Sequence, residues 1–317
     1  MSTHTNDRND LSAGAGTSPG PACLVCGSPE CKVVHRQLRY DIEHDVAECG
    51  NCGFIYLWPR LGEQETVEFY QKGEFRNIPR EKLGLQSHDP DGTFESRMGQ
   101  ARHRFRIVKP YLNKDKTLLE IGCGSGSFIS LVQPFVKDCT GMELDAIFAD
   151  YVRRRFGIKV LEDALENLPP RMGPYDLICM WFVLEHLHDP VGDLRKIREL
   201  VADHGLLFLL LPNLRDPLLT VYHSKAYERF FYQLPHLNYF SERTLRLALE
   251  TSGWDGQIIP VQIYGLANHL RWMFLERPQP KQSRGTVDLW NIPDKIYRAM
   301  LAKAGTTDSL LVIARKR

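Results

Sequence analysis

From residue 117 onward, short apolar runs alternate with longer mixed segments. The runs span 117–121, 139–143, 159–161, 176–181, 206–211, 257–262 and 309–314. All are of strand length, and none approaches a membrane span. Between them, 127–135, 146–156, 191–201 and 242–252 read as helices. Strands alternating with helices predict an α/β fold with a mostly parallel sheet. A helix over 96–112 precedes them and carries Arg97, Arg102, Arg104, Arg106 and Lys109. Such basic residues read as a solvated face, with contact to an acceptor phosphate as the alternative.

Upstream the pattern is different. Residues 1–21 are polar and rich in Gly, Pro, Ser and Thr, with no apolar stretch of signal-peptide type, and read as a disordered tail of a cytoplasmic protein. A small domain follows over 22–75, with a strand pair within 33–46, a strand at 54–57 and a helix at 63–70. A polar linker spans 76–95, and 96–317 forms the main domain. Two connections in that domain are long for their place, 213–240 and 264–304, and lengths of this kind usually serve a function.

The first strand of the main domain runs into Glu120-Ile-Gly122-Cys123-Gly124-Ser-Gly126. A strand that breaks into a glycine turn and then a helix lets a nucleotide-like ligand lie against the main chain. The third glycine of the dinucleotide fingerprint would fall on Ser127. Glu120 would repel a pyrophosphate but attract an ammonium. Glu143, seventeen residues past Gly126, is placed to accept from both hydroxyls of a ribose. A nucleoside with an amino-acid head, S-adenosylmethionine, suits both acids.

Cysteine spacing adds a second signal. Cys23-x-x-Cys26 and Cys49-x-x-Cys52 enclose a spacer of 22 residues, close to the range for four thiolates on one tetrahedral zinc ion. Four cysteine ligands leave no open position, so the metal would be structural. Two disulfides are the competing reading and suit a secreted chain. Cys31, His35 and His44 read as bystanders. Among the 317 residues the net charge is +1, which gives no general attraction to nucleic acid.

The glycine loop, Glu162-Asp163-Ala164, Tyr175-Asp-Leu-Ile-Cys179, Val183-Leu-Glu-His-Leu-His-Asp-Pro190, Phe208-Leu-Leu-Leu-Pro-Asn213 and His236-Leu-Asn-Tyr-Phe-Ser241 together resemble the class I S-adenosylmethionine-dependent methyltransferases. The resemblance implies a Rossmann-like sheet whose last strand is antiparallel. It also implies cofactor contacts from Glu120, Gly122, Cys123, Gly124, Gly126, Glu143, Leu144, Asp163, Ala164 and Trp181. The zinc ribbon followed by an aromatic strand, proline and a helix resembles the group associated with sugar and surface-polysaccharide biosynthesis.

Methyl transfer to a poor nucleophile such as a sugar hydroxyl needs a base. His236 is the first candidate, in a long aromatic loop at the acceptor end of the sheet. It resembles the histidine of a Tyr-x-Glu-His group in sugar C-methyltransferases, although Gln233 and Pro235 replace the tyrosine and glutamate. His186 is the second. Ubiquinone-type O-methyltransferases carry Glu-x-x-Glu-His there, but Phe182 stands for the first glutamate, so no metal is expected at that place. Asn268 and His269 are further acceptor-side candidates. The expected substrate is a small molecule or glycan. The alternatives are an RNA methyltransferase, against which the mixed charge of 31–60 argues, and a catalytically silent scaffold.

Overall fold

The computed structural model describes residues 22–60, 62, 89–169, 172–278 and 291–317; the expected tail 1–21 and the helix at 63–70 lie outside them. The N-terminal module consists of β1 (Cys31–Leu38), β2 (Ile42–Cys49) and β3 (Ile55–Trp58), paired antiparallel in sequence order. The first helix, α1 (Pro90–Val108), begins earlier than the sequence pattern implied. Asp89 caps it by accepting from Gly92 N, and Pro90 occupies the first turn, where its missing N–H costs nothing.

The main domain then runs β4 (Thr117–Ile121), α2 (Ile129–Val132), β5 (Asp138–Met142), α3 (Ala146–Phe156), β6 (Lys159–Leu161), β7 (Tyr175–Trp181), α4 (Pro190–Leu200) and β8 (Val201–Pro212). It continues with α5 (Pro217–Thr220), α6 (Lys225–Phe231), β9 (Asn238–Tyr239), α7 (Glu242–Thr251), β10 (Trp254–Val261), α8 (Leu266–Leu275), α9 (Asn291–Ala304) and β11 (Ser309–Lys316). The second helix is shorter than the span expected over 127–135. After four α-helical residues, Pro134 sits in a 3-10 turn where a longer α-helix would need an N–H donor.

The larger sheet has the order β10-β11-β8-β7-β4-β5-β6. Strands β4 to β8 run parallel, and β11 inserts antiparallel between β8 and β10. Both faces are covered, which is why β7 carries Leu177, Ile178, Cys179 and Met180 without polar alternation. Strand β4 lies between β7 and β5, where the strand order reverses, so its carboxyl end, holding Glu120 and the glycine turn, opens where neighbouring strands diverge in connection.

One feature was absent from the sequence pattern. Strand β9 belongs to the long 213–240 loop of the main domain, yet it pairs with β3 and completes the sheet of the N-terminal module as β1-β2-β3-β9. Leu57 N donates to Leu237 O at 3.1 Å and Arg39 N to Tyr232 O at 2.7 Å. The Arg39 guanidinium lies 3.4 Å from the Phe230 ring centre. Arg60 bridges His188 O and Asn238 Oδ1, both at 2.9 Å. The small module is therefore bonded to the loops that flank the acceptor end of the sheet.

Candidate cofactor and acceptor site

Strand β4 ends in three glycines with left-handed backbone, Gly122 (φ 72), Gly124 (φ 54) and Gly126 (φ 76). At Gly122 a Cβ would lie 2.6 Å from Val183 Cγ2, so side chains are excluded on contact as well as on conformation. Glu143, at the end of β5, fixes the turn: it accepts from Gly124 N at 2.8 Å and from Asp145 N at 3.0 Å. An ionised carboxylate accepts only, the chemistry that the hydroxyls of a vicinal diol require. Leu144 follows half-buried. One strand further out, Asp163 is exposed and Ala164 buried after β6. The ends of β4, β5 and β6 thus present the predicted residues in one row. Cys123 lies in the turn with its thiol against Gly141, where an added Cβ would meet Sγ at 2.8 Å.

Glu120 is 2% exposed, and its Oε2 has no hydrogen-bond partner. Burial pushes its carboxyl well above the ordinary range, partly offset by the Arg104 charge and the Ile129 N–H. Arg104 comes from α1. Burial lowers its guanidinium to about 10 against the pull of Glu120, and its Nε also lacks a partner. It lies 5.8 Å and 5.5 Å from the ring centres of Trp181 and Phe182. Trp181 Nε1 is likewise without a partner, and the ring packs edge-on against Phe128 at 5.0 Å. A buried acid and a half-buried guanidinium with unfilled bonding capacity suit a zwitterionic head, the ammonium on Glu120 and the carboxylate on Arg104.

The reading of α1 as a solvated basic face therefore needs correction at Arg104. Buried Ala101 and Val108 lie three residues before and four after it, spacings that put it on the inward face of the helix. That periodicity is present in the sequence but is masked there by the run of charges. Phe182, directly after β7, has φ 59, a conformation costly for a bulky residue and concentrated at functional positions.

On the acceptor side, Glu185 is 1% exposed and neither carboxylate oxygen has a partner. His186 Nδ1 donates to Pro235 O at 2.7 Å. Its ring meets that of His236 edge-on with centres 4.7 Å apart. Gln233 Nε2 lies 2.7 Å from His236 Nε2. Burial lowers His186 to about 4; burial, then His186 and Arg39, drive His236 well below its ordinary value. Both candidate bases are neutral near pH 7 and adjacent, a juxtaposition invisible in the sequence.

The 264–304 segment contributes α8 and α9. His269, 1% exposed, bonds Tyr297 Oη through Nδ1 at 2.6 Å, and Tyr297 Oη meets Tyr222 Oη at 2.9 Å. Asn268 is buried beside it. This chain of bonds ties the two long insertions together.

In the small module the four expected thiols converge. Cys23 and Cys52 Sγ lie 3.7 Å apart, Cys26 and Cys49 Sγ 3.5 Å apart, and all four fall within 4.8 Å of one another. Tetrahedral zinc–sulfur bonds of about 2.3 Å set sulfurs about 3.8 Å apart, so the donors fit zinc. The separations are far beyond a disulfide bond, and all eight cysteines are free thiols. Cys31 is not part of the cluster.

Comparison with known proteins now bears on this geometry. Residues 92–257 match a family model described as a methyltransferase domain. Two proteins from strains of Mycobacterium tuberculosis, each named a probable S-adenosylmethionine-dependent methyltransferase, are 27% identical over 99 residues, covering 31% of this chain and 36% of theirs. The chain thus spans about a third of the length of these curated relatives. Among solved structures, a SAM-dependent methyltransferase from Archaeoglobus fulgidus is 17% identical with a TM-score of 0.49, covering 76% of this chain and 99% of that one. Magnesium protoporphyrin IX methyltransferase from Synechocystis PCC 6803, with bound SAH, is 14% identical with a TM-score of 0.49, covering 81% and 100%.

Proposed function

The chain belongs to the family of this methyltransferase domain, and from that premise we propose that it transfers the methyl group of S-adenosylmethionine to a small-molecule or glycan acceptor, by O- or C-methylation of a sugar or nucleotide-sugar. The observation that carries the reading is buried Glu120 with half-buried Arg104, whose Nε is buried, each with unfilled bonding capacity, beside a glycine turn held by Glu143. The cofactor would supply a methyl group on a sulfonium, already attached to a good leaving group.

The chain's own part is to bind and align. Glu120 takes the ammonium and Arg104 the carboxylate of the amino-acid head, Glu143 the ribose hydroxyls, and Asp163 with Ala164 the edge of the adenine. Gly122, Gly124 and Gly126 keep the main chain clear of side chains, with Cys123 between them and Leu144 flanking. Trp181 and Phe182 wall the transfer region and exclude water. The acceptor must lie about 3 Å from the methyl carbon and in line with the bond that breaks. Where the nucleophile is a hydroxyl, His236 or His186, both neutral, can accept its proton.

Cys23, Cys26, Cys49 and Cys52 would hold a structural zinc ion, which fixes the module whose sheet β9 completes. A reducing cytoplasm is the compartment that suits four thiolates. Within the module Lys32 pairs with Glu48 at 2.9 Å and Arg36 with Asp45 at 3.6 Å. These pairs weaken the positive field an RNA-reading ribbon would need, which favours the small acceptor.

Thermal unfolding with S-adenosylhomocysteine, and NAD as control, tests the cofactor. At about 100 times its dissociation constant a ligand adds about 2.7 kcal/mol. A shift with the homocysteine nucleoside alone is the expected result; equal or absent shifts would refute the reading.

A further inference from the structure

We propose that Glu185, His186 and His236 bind one divalent first-row metal cation at the acceptor end of the site. One donor atom from each of the three lies within 4.8 Å of the other two. A buried carboxylate is normally bonded, yet Glu185 is 1% exposed and has no partner on either oxygen. Its nearest imidazole nitrogen is His186 Nε2, 3.9 Å from Oε1.

His186 is held as a metal-binding histidine is held. His186 donates Nδ1–H to Pro235 O at 2.7 Å, which puts the lone pair of the neutral ring on Nε2, the nitrogen facing Glu185. A backbone carbonyl in this role fixes the tautomer and the plane of a ligating ring. Pro235 immediately precedes His236, so a single turn orients one ligand and carries the next. His236 is positioned in turn by Gln233, whose Nε2 lies 2.7 Å from His236 Nε2, and that amide would yield the nitrogen to the ion. No local sequence pattern predicts this convergence. Phe182 stands where a second acid would be needed, and only the fold brings His236 against His186.

Two imidazoles and a carboxylate suit Mn2+, Fe2+, Co2+ or Zn2+, without the softness that four thiolates give. Three protein ligands also leave positions open, unlike the cysteine cluster. A hydroxyl of the acceptor, bound there, would release its proton to water, the ion replacing His186 and His236 in that role; the alkoxide would then bond the methyl carbon as its bond to sulfur breaks and the thioether leaves. That use rests on the methyltransferase reading; the binding of the ion does not.

The test is a Mn2+ titration of the zinc-loaded full chain without cofactor, followed by electron paramagnetic resonance. Mn2+ is too hard to displace zinc from thiolates. One Mn2+ per chain is expected, weakened at least tenfold by Glu185→Gln and by His236→Ala and unchanged by His188→Ala. The homocysteine-nucleoside shift, measured on each variant, shows that the fold and cofactor pocket persist. Absence of saturable Mn2+ binding to the native chain, or binding indifferent to both substitutions, would overturn the inference. Because no cofactor is present in the titration, its failure leaves the methyltransferase reading standing.

Discussion

Replacing Glu120 by Gln separates what the carboxylate does for the fold from what it does for a ligand. In the free protein burial raises the carboxyl well above its ordinary range, which favours the protonated form and makes an amide a close substitute. Unfolding stability should change by less than about 1 kcal/mol. Against an ammonium the difference is large, because a hydrogen bond to a charged group contributes about 1.5–3 kcal/mol. The dissociation constant for S-adenosylhomocysteine should rise about 10- to 150-fold. The pH dependence adds a second readout. An ammonium draws the proton from Glu120 on binding, so affinity in the native chain should climb with pH until the free carboxyl ionises unaided, and Glu120→Gln should flatten that climb. Isothermal titration calorimetry at several pH values in buffers of different ionisation enthalpy measures both. A dissociation constant within twofold of the native one, with matching pH profiles, would refute the assignment of Glu120 to the ammonium.

Gly122→Ala should abolish detectable binding of the same ligand and lower stability by about 1–3 kcal/mol, since its Cβ would meet Val183 at 2.6 Å at φ 72; calorimetry and urea unfolding read the two effects. Cys49→Ser should remove the zinc and, through the β3–β9 pairing of Ile55 with Tyr239, speed amide hydrogen exchange over residues 237–240; unchanged exchange there with zinc lost would mean the module does not support the acceptor loop. Asp216 caps α5 through Leu218 N and accepts from Tyr227 Oη at 2.7 Å, and burial, partly offset by that bond, raises its carboxyl to about 7. The folded state then holds a proton that the unfolded chain releases above about pH 4, so this group's contribution is full below that value and is lost as pH rises to about 7. Asp216→Asn, which keeps the cap, should make urea-unfolding stability flatter by a few kcal/mol at most across that window.

The cofactor end of the site was legible because it is local. Glu120 and the glycines share one strand and turn, and Glu143 ends the adjacent strand of a parallel pair, so sequence order sets their spacing. The cysteine cluster was legible for the same reason, each C-x-x-C pair closing in a single turn. Arg104 is hidden in a run of basic residues that resembles a solvated face, although its helical spacing from Ala101 and Val108 points inward. Pro134 ends as a 3-10 turn the helix that the pattern predicts over 127–135.

What the sequence determined by itself is the alternating sheet, the glycine turn with its two acids and the four-thiol set, all fixed by backbone sterics and short-range spacing. The tertiary structure alone decided the acceptor side. Pairing of β9 with β3 joins the small module to the 213–240 loop, and the same packing sets His236 against His186 and Glu185. Such contacts come from chain segments far apart in sequence, whose mutual position depends on how the whole core packs, and no local pattern of hydrophobic and polar residues encodes that distance.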